Sequence, residues 1–327
     1  MPNRWPSLAP VRARERAREP RGGEQTGRQG RRHRGRAQAG HGGGSGPGGS
    51  DRDRHRCDTG TKALVASQTG RVHAPLGDER AADRAGADDF KRVTLELGGN
   101  DAAILLDDFD VAGMTTPLFL AAFDNTGQKC ICAKRVYVAQ SRMDDVAAGL
   151  AAEAAKVVLG QGTSPDVTMG PLQNKAQYEK VLAFIDDAVA KGATVVTGGK
   201  AVEGPGYFVE PTILKNCRPG MKVVDEEQFG PIMPLIAFDD LDEAIEQANE
   251  TDFGLGGSVW GADVERAEAV ASRMYSGMVW VNGHGDGDFP AQPFMGVKSS
   301  GLGAEMGQWG FSSASDLRVD YTTIDRV

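Results

Sequence analysis

A thiol, a carboxylate thirty-four residues ahead of it and the glycines around both are the residues of this chain best suited to chemistry. The thiol is Cys130 in Asn125-Thr-Gly-Gln-Lys-Cys130-Ile-Cys132; the acid is Glu96 in Val93-Thr-Leu-Glu-Leu-Gly-Gly99. A thiolate adds to a carbonyl carbon, and a carboxylate can then activate the water that releases the acyl group. By type alone each residue has a plainer reading. A free cysteine after a helix is usually a small buried hydrophobe, and Glu96 could be an ordinary acid at the end of a strand. Leu95 and Leu97 give Glu96 apolar surroundings, which raise a carboxyl pKa toward the range useful to a base. Lys129 would lower the pKa of Cys130 if it turned inward; the expectation is that it faces solvent. Cys132 is the second thiol and is expected to pack or support.

Both strings, and the spacing between them, resemble the aldehyde dehydrogenase family, and the resemblance runs from about Phe90 to the end of the chain. It implies an NAD- or NADP-dependent enzyme of the hydrolytic type, acting on a small-molecule aldehyde. Cys130 would form the thiohemiacetal and then the thioester, and Glu96 would be the general base. Its presence speaks against the acylating, coenzyme A-dependent relatives and the glutamyl phosphate reductases, which resolve the intermediate differently.

Glu226-Glu227-Gln-Phe229-Gly-Pro231 resembles the family string in which the second Glu grips the nicotinamide ribose and the Phe packs beside the ring. Those roles fall to Glu227 and Phe229. Without the family, the same acids would end a surface loop and Gly-Pro would start a strand. Gly206–Thr212, Asn249–Leu255 and Gly277–Asn282 are also family-like and read as architectural, with Trp280 filling core. Pro293-Phe-Met-Gly-Val-Lys-Ser-Ser-Gly301-Leu-Gly-Ala-Glu305 resembles a family signature with two departures: Met295 replaces a Gly and Ala304 an Arg. The second departure removes a donor that would tie loops together. Phe289 and Phe294 fall near the implied substrate-side loop.

The family's remaining strings are missing from residues 1–90: a Gly-Ser-Thr-x-x-Gly turn at the pyrophosphate, a Lys for the adenine ribose, and a Pro-Trp-Asn string. The Asn of that string completes an oxyanion hole with the backbone N–H of the nucleophile. The resemblance therefore implies a truncated or frame-shifted member of impaired activity.

The elements that must hold these residues can be read from periodicity. Val93–Leu97 and Ala102–Leu106 are predicted strands around Gly98-Gly99. A helix is expected over Val111–Asn125, a strand over Arg135–Ala139, and a second helix from Ser141 to Val158. Asn174–Lys191 reads as a long helix closed by Gly192, before the strand Ala193–Thr197. Further strands are expected at Phe208–Leu214, Ile232–Phe238, Gly257–Trp260 and Met278–Asn282, with helices at Leu241–Asn249 and Val264–Ser276. Strands alternating with helices predict an α/β fold with a largely parallel sheet. The resemblance sharpens this to an aldehyde dehydrogenase-like catalytic domain whose Rossmann-like cofactor-binding domain is largely missing. The expected layout is a non-family segment over 1–89, a remnant of the cofactor-binding domain over 90–97, a catalytic domain over 98–310 and an oligomerisation arm over 311–327. Within that arm, Leu317–Ile324 resembles the strand with which relatives form dimers, so a homo-oligomer is expected.

Composition divides the chain in two. Residues 1–60 carry 14 Arg, no Lys and 6 acids, an excess of eight positive charges, so the rest must hold sixteen negative ones to reach the total of −8. No Ile, Phe or Tyr precedes Phe90, and residues 41–50 have linker composition. Such a stretch cannot bury enough apolar surface to offset its ordering entropy and is expected to be disordered. Three origins compete. An arm binding nucleic acid through phosphates would want interleaved aromatics. A transit peptide would be Ser-rich and poor in acids. The favoured reading is GC-rich codons read out of frame, which give Arg, Gly, Ala and Pro; a nucleic-acid partner is not expected.

The chain has no run of eighteen apolar residues and no apolar stretch of signal-peptide type near its start, so a cytoplasmic protein without a membrane partner is expected. Cys57, Cys130, Cys132 and Cys217 are too few and scattered for a disulfide framework, and Cys-Ile-Cys has the wrong spacing for a zinc knuckle. No metal site is expected. Two other functional classes remain beside the dehydrogenase: a non-catalytic scaffold or subunit on the same core, and an Arg-rich-arm protein associated with nucleic acid. A cofactor-free thiol esterase is a smaller fourth possibility.

Overall fold

The computed structural model describes residues 92–286 and 290–320. The Arg-rich segment, Cys57 and Phe289 lie outside the described residues, as do residues 321–324 of the expected C-terminal strand.

The fold is built around two central strands, β2 (Asp101–Leu105) and β3 (Ala133–Ala139), in which every residue is buried. Strands covered on both faces are the mark of a parallel sheet between helix layers. Seven strands form that sheet, in the order β4 (Thr194–Thr197), β5 (Thr212–Cys217), β6 (Ile232–Phe238), β3, β2, β7 (Gly256–Trp260) and β8 (Met278–Val281). All neighbours are parallel except the edge pair β4–β5. Alternation along β2 sends Ala102 and Ile104 to one face and Ala103 and Leu105 to the other. The first face packs under α3 (Lys175–Ala190), the short α4 (Lys222–Asp225), α5 (Leu241–Asn249) and α6 (Val264–Ala271). The second packs under α1 (Val111–Phe123) and α2 (Met143–Ala154).

Helix starts follow side-chain caps. Asp110 accepts from Ala112 N, Asn174 from Gln177 N, Asp240 from Asp242 N and Asp263 from Arg266 N. Gly192, at φ +97°, ends α3 as expected.

The structure departs from the sequence reading at several elements. The strand expected over Val93–Leu97 shrinks to β1 (Leu95–Glu96), which pairs antiparallel with β9 (Gly301–Leu302) in a separate two-stranded sheet. The strand expected at Phe208–Leu214 starts only at Thr212, after Pro211, which has no N–H for a ladder. The helix expected to reach Val158 ends at Ala154, and that expected to reach Ser276 ends at Ala271. Residues 317–320, the described part of the stretch Leu317–Ile324, join no strand among the described residues of the single chain. Trp280 does not fill core: β8 is an edge strand, and the Trp280 indole is part-exposed, donating to Asp286 O at 2.6 Å. The fully buried tryptophan is Trp260.

Candidate active site

Cys130 lies just before β3, Gly98 to Asn100 just before β2, and Glu227 five residues before β6. Because these strands run parallel, all three loops meet at one edge of the sheet, the amino-terminal one. Open α/β sheets usually bind ligands at the carboxyl ends of their strands; this sheet gathers its reactive side chains at the opposite end.

The Cys130 loop owes its shape to three successive left-handed residues after α1: Asn125 (φ 49°), Thr126 (φ 62°) and Gly127 (φ 69°). A β-branched residue at positive φ is strained. The turn persists because Thr126 Oγ1 donates to Gly170 O at 3.1 Å and Asn125 Nδ2 to Gln128 O at 3.2 Å. A side chain at residue 127 would collide with the Gly230 carbonyl and the Lys134 ammonium. Lys134 is fully buried beneath the turn, with Nζ donating to Ala122 O (3.0 Å) and Gly230 O (2.7 Å). It thereby ties the end of α1 to the loop that carries Glu227.

Glu96 is the last residue of β1. Leu97 N donates to Ser300 O at 3.0 Å, and Ser300 Oγ bridges Gly254 N and Gly98 O at 2.9 and 2.7 Å. The following Gly-Gly pair packs tightly. A Cβ at residue 98 would lie 2.6 Å from Glu227 Oε2, and one at residue 99 would collide with the Cys130 carbonyl oxygen. Arg135 steadies the next residue, with Nε on Asn100 O at 2.7 Å and Nη2 on Ala248 O at 3.0 Å.

Glu227 is turned inward, 1% exposed, with Oε1 accepting from Gly99 N at 3.0 Å. Its loop is held by Gln177, whose Nε2 donates to Gln228 O (2.7 Å) and Phe229 O (3.0 Å). Phe229 is half-buried at φ +47°.

The electrostatics are those of a site crowded with acids. Burial pushes the Cys130 thiol up to about 12, helped by the charges of Asp101, Glu227 and Glu96. Lys129 does not offset this: its Nζ sits on Asp124 at 2.7 Å and is half exposed, in line with a solvent-facing lysine. Burial raises Glu96 to about 7, with further contributions from the charge and hydrogen bonding of Glu305. Glu227 is also raised to about 7, by burial, against the opposing Gly99 hydrogen bond. Cys132 is buried and its thiol is pushed up by desolvation.

Cys130, Glu96 and Glu227 therefore come within electrostatic reach of one another, and Phe229 follows on the Glu227 loop. Three neighbours escaped the sequence reading: Asp101, His284 and the contact of Glu305 with Glu96. Asp101 opens β2, with Oδ1 accepting from Gly256 N at 3.0 Å. The signal for Glu305 was its place at the end of the Gly301-containing string, whose β9 segment pairs with β1.

The fit to a nicotinamide cofactor can be tested on Glu227. Its Oε2 is buried and has no hydrogen-bond partner among the described residues. A buried carboxylate oxygen without a donor is costly unless a ligand supplies one, and a ribose hydroxyl would. The site fits the nicotinamide end of such a cofactor.

The fold and site define a class: an α/β domain that presents a thiol and a carboxyl group raised to near neutrality at one edge of a parallel sheet. The profile of the aldehyde dehydrogenase family matches residues 74–319, beginning ahead of Phe90. The chain belongs to that family.

Among its relatives, succinate-semialdehyde dehydrogenase [NADP(+)] of Deinococcus radiodurans is 40% identical over 247 residues, covering 74% of this chain and 51% of the relative. Betaine aldehyde dehydrogenase of Cereibacter sphaeroides is 39% identical over 269 residues, covering 82% and 55%. Among solved structures, the NAD+ complex of an aldehyde dehydrogenase from Bacillus cereus superposes with a TM-score of 0.69 at 36% identity, covering 72% of this chain and 48% of that one. The chain spans about half the length of the curated relatives it matches.

Proposed function

We propose that this chain carries the thiol half of an NAD- or NADP-dependent aldehyde dehydrogenase, oxidising an aldehyde to a carboxylic acid through a thioester on Cys130. The observation that carries the reading is the meeting of Cys130, Glu96 and Glu227 at one sheet edge, close enough for both acids to raise the thiol. Residues 98–310 are the proposed catalytic domain, 90–97 the remnant of the cofactor-binding domain and 311–327 the oligomerisation arm. The relatives named as acting on succinate semialdehyde and betaine aldehyde support the aldehyde as substrate class.

The roles follow from the chemistry of each group. At neutral pH Cys130 rests as a thiol, because its pKa of about 12 disfavours the thiolate. Its proton must leave as sulfur bonds to the carbonyl carbon, and an ionised Glu96 is the nearby acceptor. The backbone N–H of Cys130 lies beside its own sulfur, where it can donate to the oxygen that gains charge. A bound nicotinamide supplies the acceptor for the hydride that the carbon loses. Glu227 and Phe229 are the residues that would hold its ribose and ring. Glu96 then takes a proton from the water that attacks the thioester, and the Cys130 sulfur leaves as the acid is released.

Two features set the expected level of activity. The family strings for the pyrophosphate, the adenine ribose and the oxyanion-hole Asn are not found in residues 1–90. Loss of one oxyanion donor costs about 10²–10³ in rate, and Glu227 with Phe229 reaches only the nicotinamide end. We therefore expect weak activity from the chain alone, and a homo-oligomer as its assembled form.

The test is NAD binding by calorimetry on the purified chain, with aldehyde oxidation compared against Cys130→Ala. Micromolar binding with turnover abolished in Cys130→Ala would establish the dehydrogenase. Turnover that survives Cys130→Ala would overturn the assignment of the nucleophile.

A further inference from the structure

Behind the Cys130 loop lies a buried polar chain that the chemistry above does not use. Trp260 Nε1 donates to Ser258 Oγ at 2.8 Å, Ser258 Oγ lies 2.9 Å from His284 Nδ1, and His284 Nε2 lies 2.8 Å from the carbonyl oxygen of Ile131. Trp260 and Ser258 are fully buried and His284 is 4% exposed. A carbonyl oxygen only accepts, so Nε2 carries a hydrogen and donates it. The Ser258 hydroxyl, which accepts from the indole, pairs with Nδ1. Asp101 Oδ2 stands 3.4 Å from Nε2, and the Trp280 ring packs 5.2 Å from the imidazole.

This chain ends on the peptide next to the candidate nucleophile. His284 fixes the carbonyl side of the Ile131–Cys132 peptide. The N–H of that same peptide donates to Lys129 O at 3.3 Å. Lys129 O belongs in turn to the peptide whose N–H is that of Cys130. On the remaining side, the Cys130 carbonyl is packed against Gly99. Two of the peptide planes around the thiol are thus hydrogen-bonded and the third is packed, and one of the hydrogen bonds comes from an imidazole reaching in from a distant loop.

We propose that His284 is a positioning residue for acyl transfer, which orients the Cys130 amide N–H toward the developing oxyanion through the Ile131–Cys132 peptide. The inference rests on Cys130 being the nucleophile. It predicts that His284 matters for reactions that build negative charge on oxygen and not for reactions that merely need an accessible sulfur.

Two electrophiles separate these. With p-nitrophenyl acetate, sulfur bonds to the acyl carbon, the ester C–O bond breaks, p-nitrophenolate departs and the thiol proton goes to the base; charge builds on the carbonyl oxygen on the way. With iodoacetamide, the sulfur–carbon bond forms as the carbon–iodine bond breaks, iodide departs, the thiol proton again goes to the base, and no oxyanion forms. Both rates are measured on the full chain, with the modified residue located by mass spectrometry.

In His284→Ala, acetylation of Cys130 should fall by roughly 10- to 100-fold, less than total loss of an oxyanion donor costs, while its alkylation stays unchanged. His284→Gln, whose amide N–H can replace Nε2–H at the Ile131 carbonyl, should restore acetylation. His284→Asn, whose shorter side chain falls short of that carbonyl, should not. Equal losses in both reactions, unchanged acetylation in His284→Ala, or a Gln variant no better than Ala would each overturn the proposal. If Cys130 of the unmutated chain alkylates but takes no acetyl group, the nucleophile reading fails and this inference falls with it.

Discussion

Glu96 and Glu305 form the contact at which a single substitution speaks most directly to mechanism. Glu96 loses its proton near pH 7 because it is half-buried and because Glu305 adds charge and hydrogen bonding from a strand's end away. The proposed general base works only when ionised, so the rate of deacylation should rise with pH through an inflection near 7. Glu305→Ala removes two of the three causes and leaves burial, the largest. The inflection should then move to lower pH without reaching the ordinary value of 4.5, and the enzyme should gain rate on the acid side. Release of acetate from acetylated Cys130, followed from pH 5 to 9, reads this directly. An inflection unmoved in Glu305→Ala would mean that burial alone sets the pKa. Glu96→Gln should lose about 10²–10⁴ of the rate and the inflection with it.

At the scale of elements, the site is a matter of how closely loops approach at the amino-terminal edge of the sheet. Gly99 is the tight point beside the thiol, since any side chain there meets the Cys130 carbonyl. Gly99→Ala should cost about 1–3 kcal/mol as overpacking, read by urea denaturation, and should displace the thiol enough to change its alkylation rate. Gly162→Ala is the control: a Cβ there meets nothing within 4 Å. Equal stability of the two variants would show that the loop yields freely.

What the sequence makes legible here is local. Asn174 and Gly192 bracket α3, short continuous apolar runs mark β2 and β6, and the strings around Cys130, Glu96 and Glu227 stand out by spacing. What it hides depends on partners far along the chain. His284 meets Ile131 across 153 positions and Asp101 meets Gly256 across 155. β1 finds its pairing strand at Gly301–Leu302 rather than beside it. Trp280 reads as core by type, yet β8 lies at the sheet's edge, where one side chain flank stays open to water.

For the molecule as a whole, the unresolved energetic problem is apolar surface near the C-terminus. Trp309 is 63% exposed, Phe311 75%, Leu317 89% and Val319 69%. Single exposed apolar residues are ordinary, but four large ones within eleven positions are an unusual concentration of uncovered apolar surface. Trp309 and Phe311 sit on α7 (Gly307–Ser313), a short helix with no buried residue of its own. Phe311, Leu317 and Val319 fall within residues 311–327, proposed as the oligomerisation arm, and Trp309 and Leu302 (50% exposed, on β9) lie ahead of it. Association should therefore depend on concentration and on these side chains. Sedimentation velocity of the chain should show dimers or larger species that dissociate on dilution, and the double variant Trp309→Ser with Phe311→Ser should shift the population to monomer. Because neither ring is buried within the chain, the substitutions should leave its unfolding midpoint in dilute solution nearly unchanged. A monomer at every concentration before substitution would remove the arm from the assembly. An oligomer that persists in the double variant would place the interface elsewhere on the molecule.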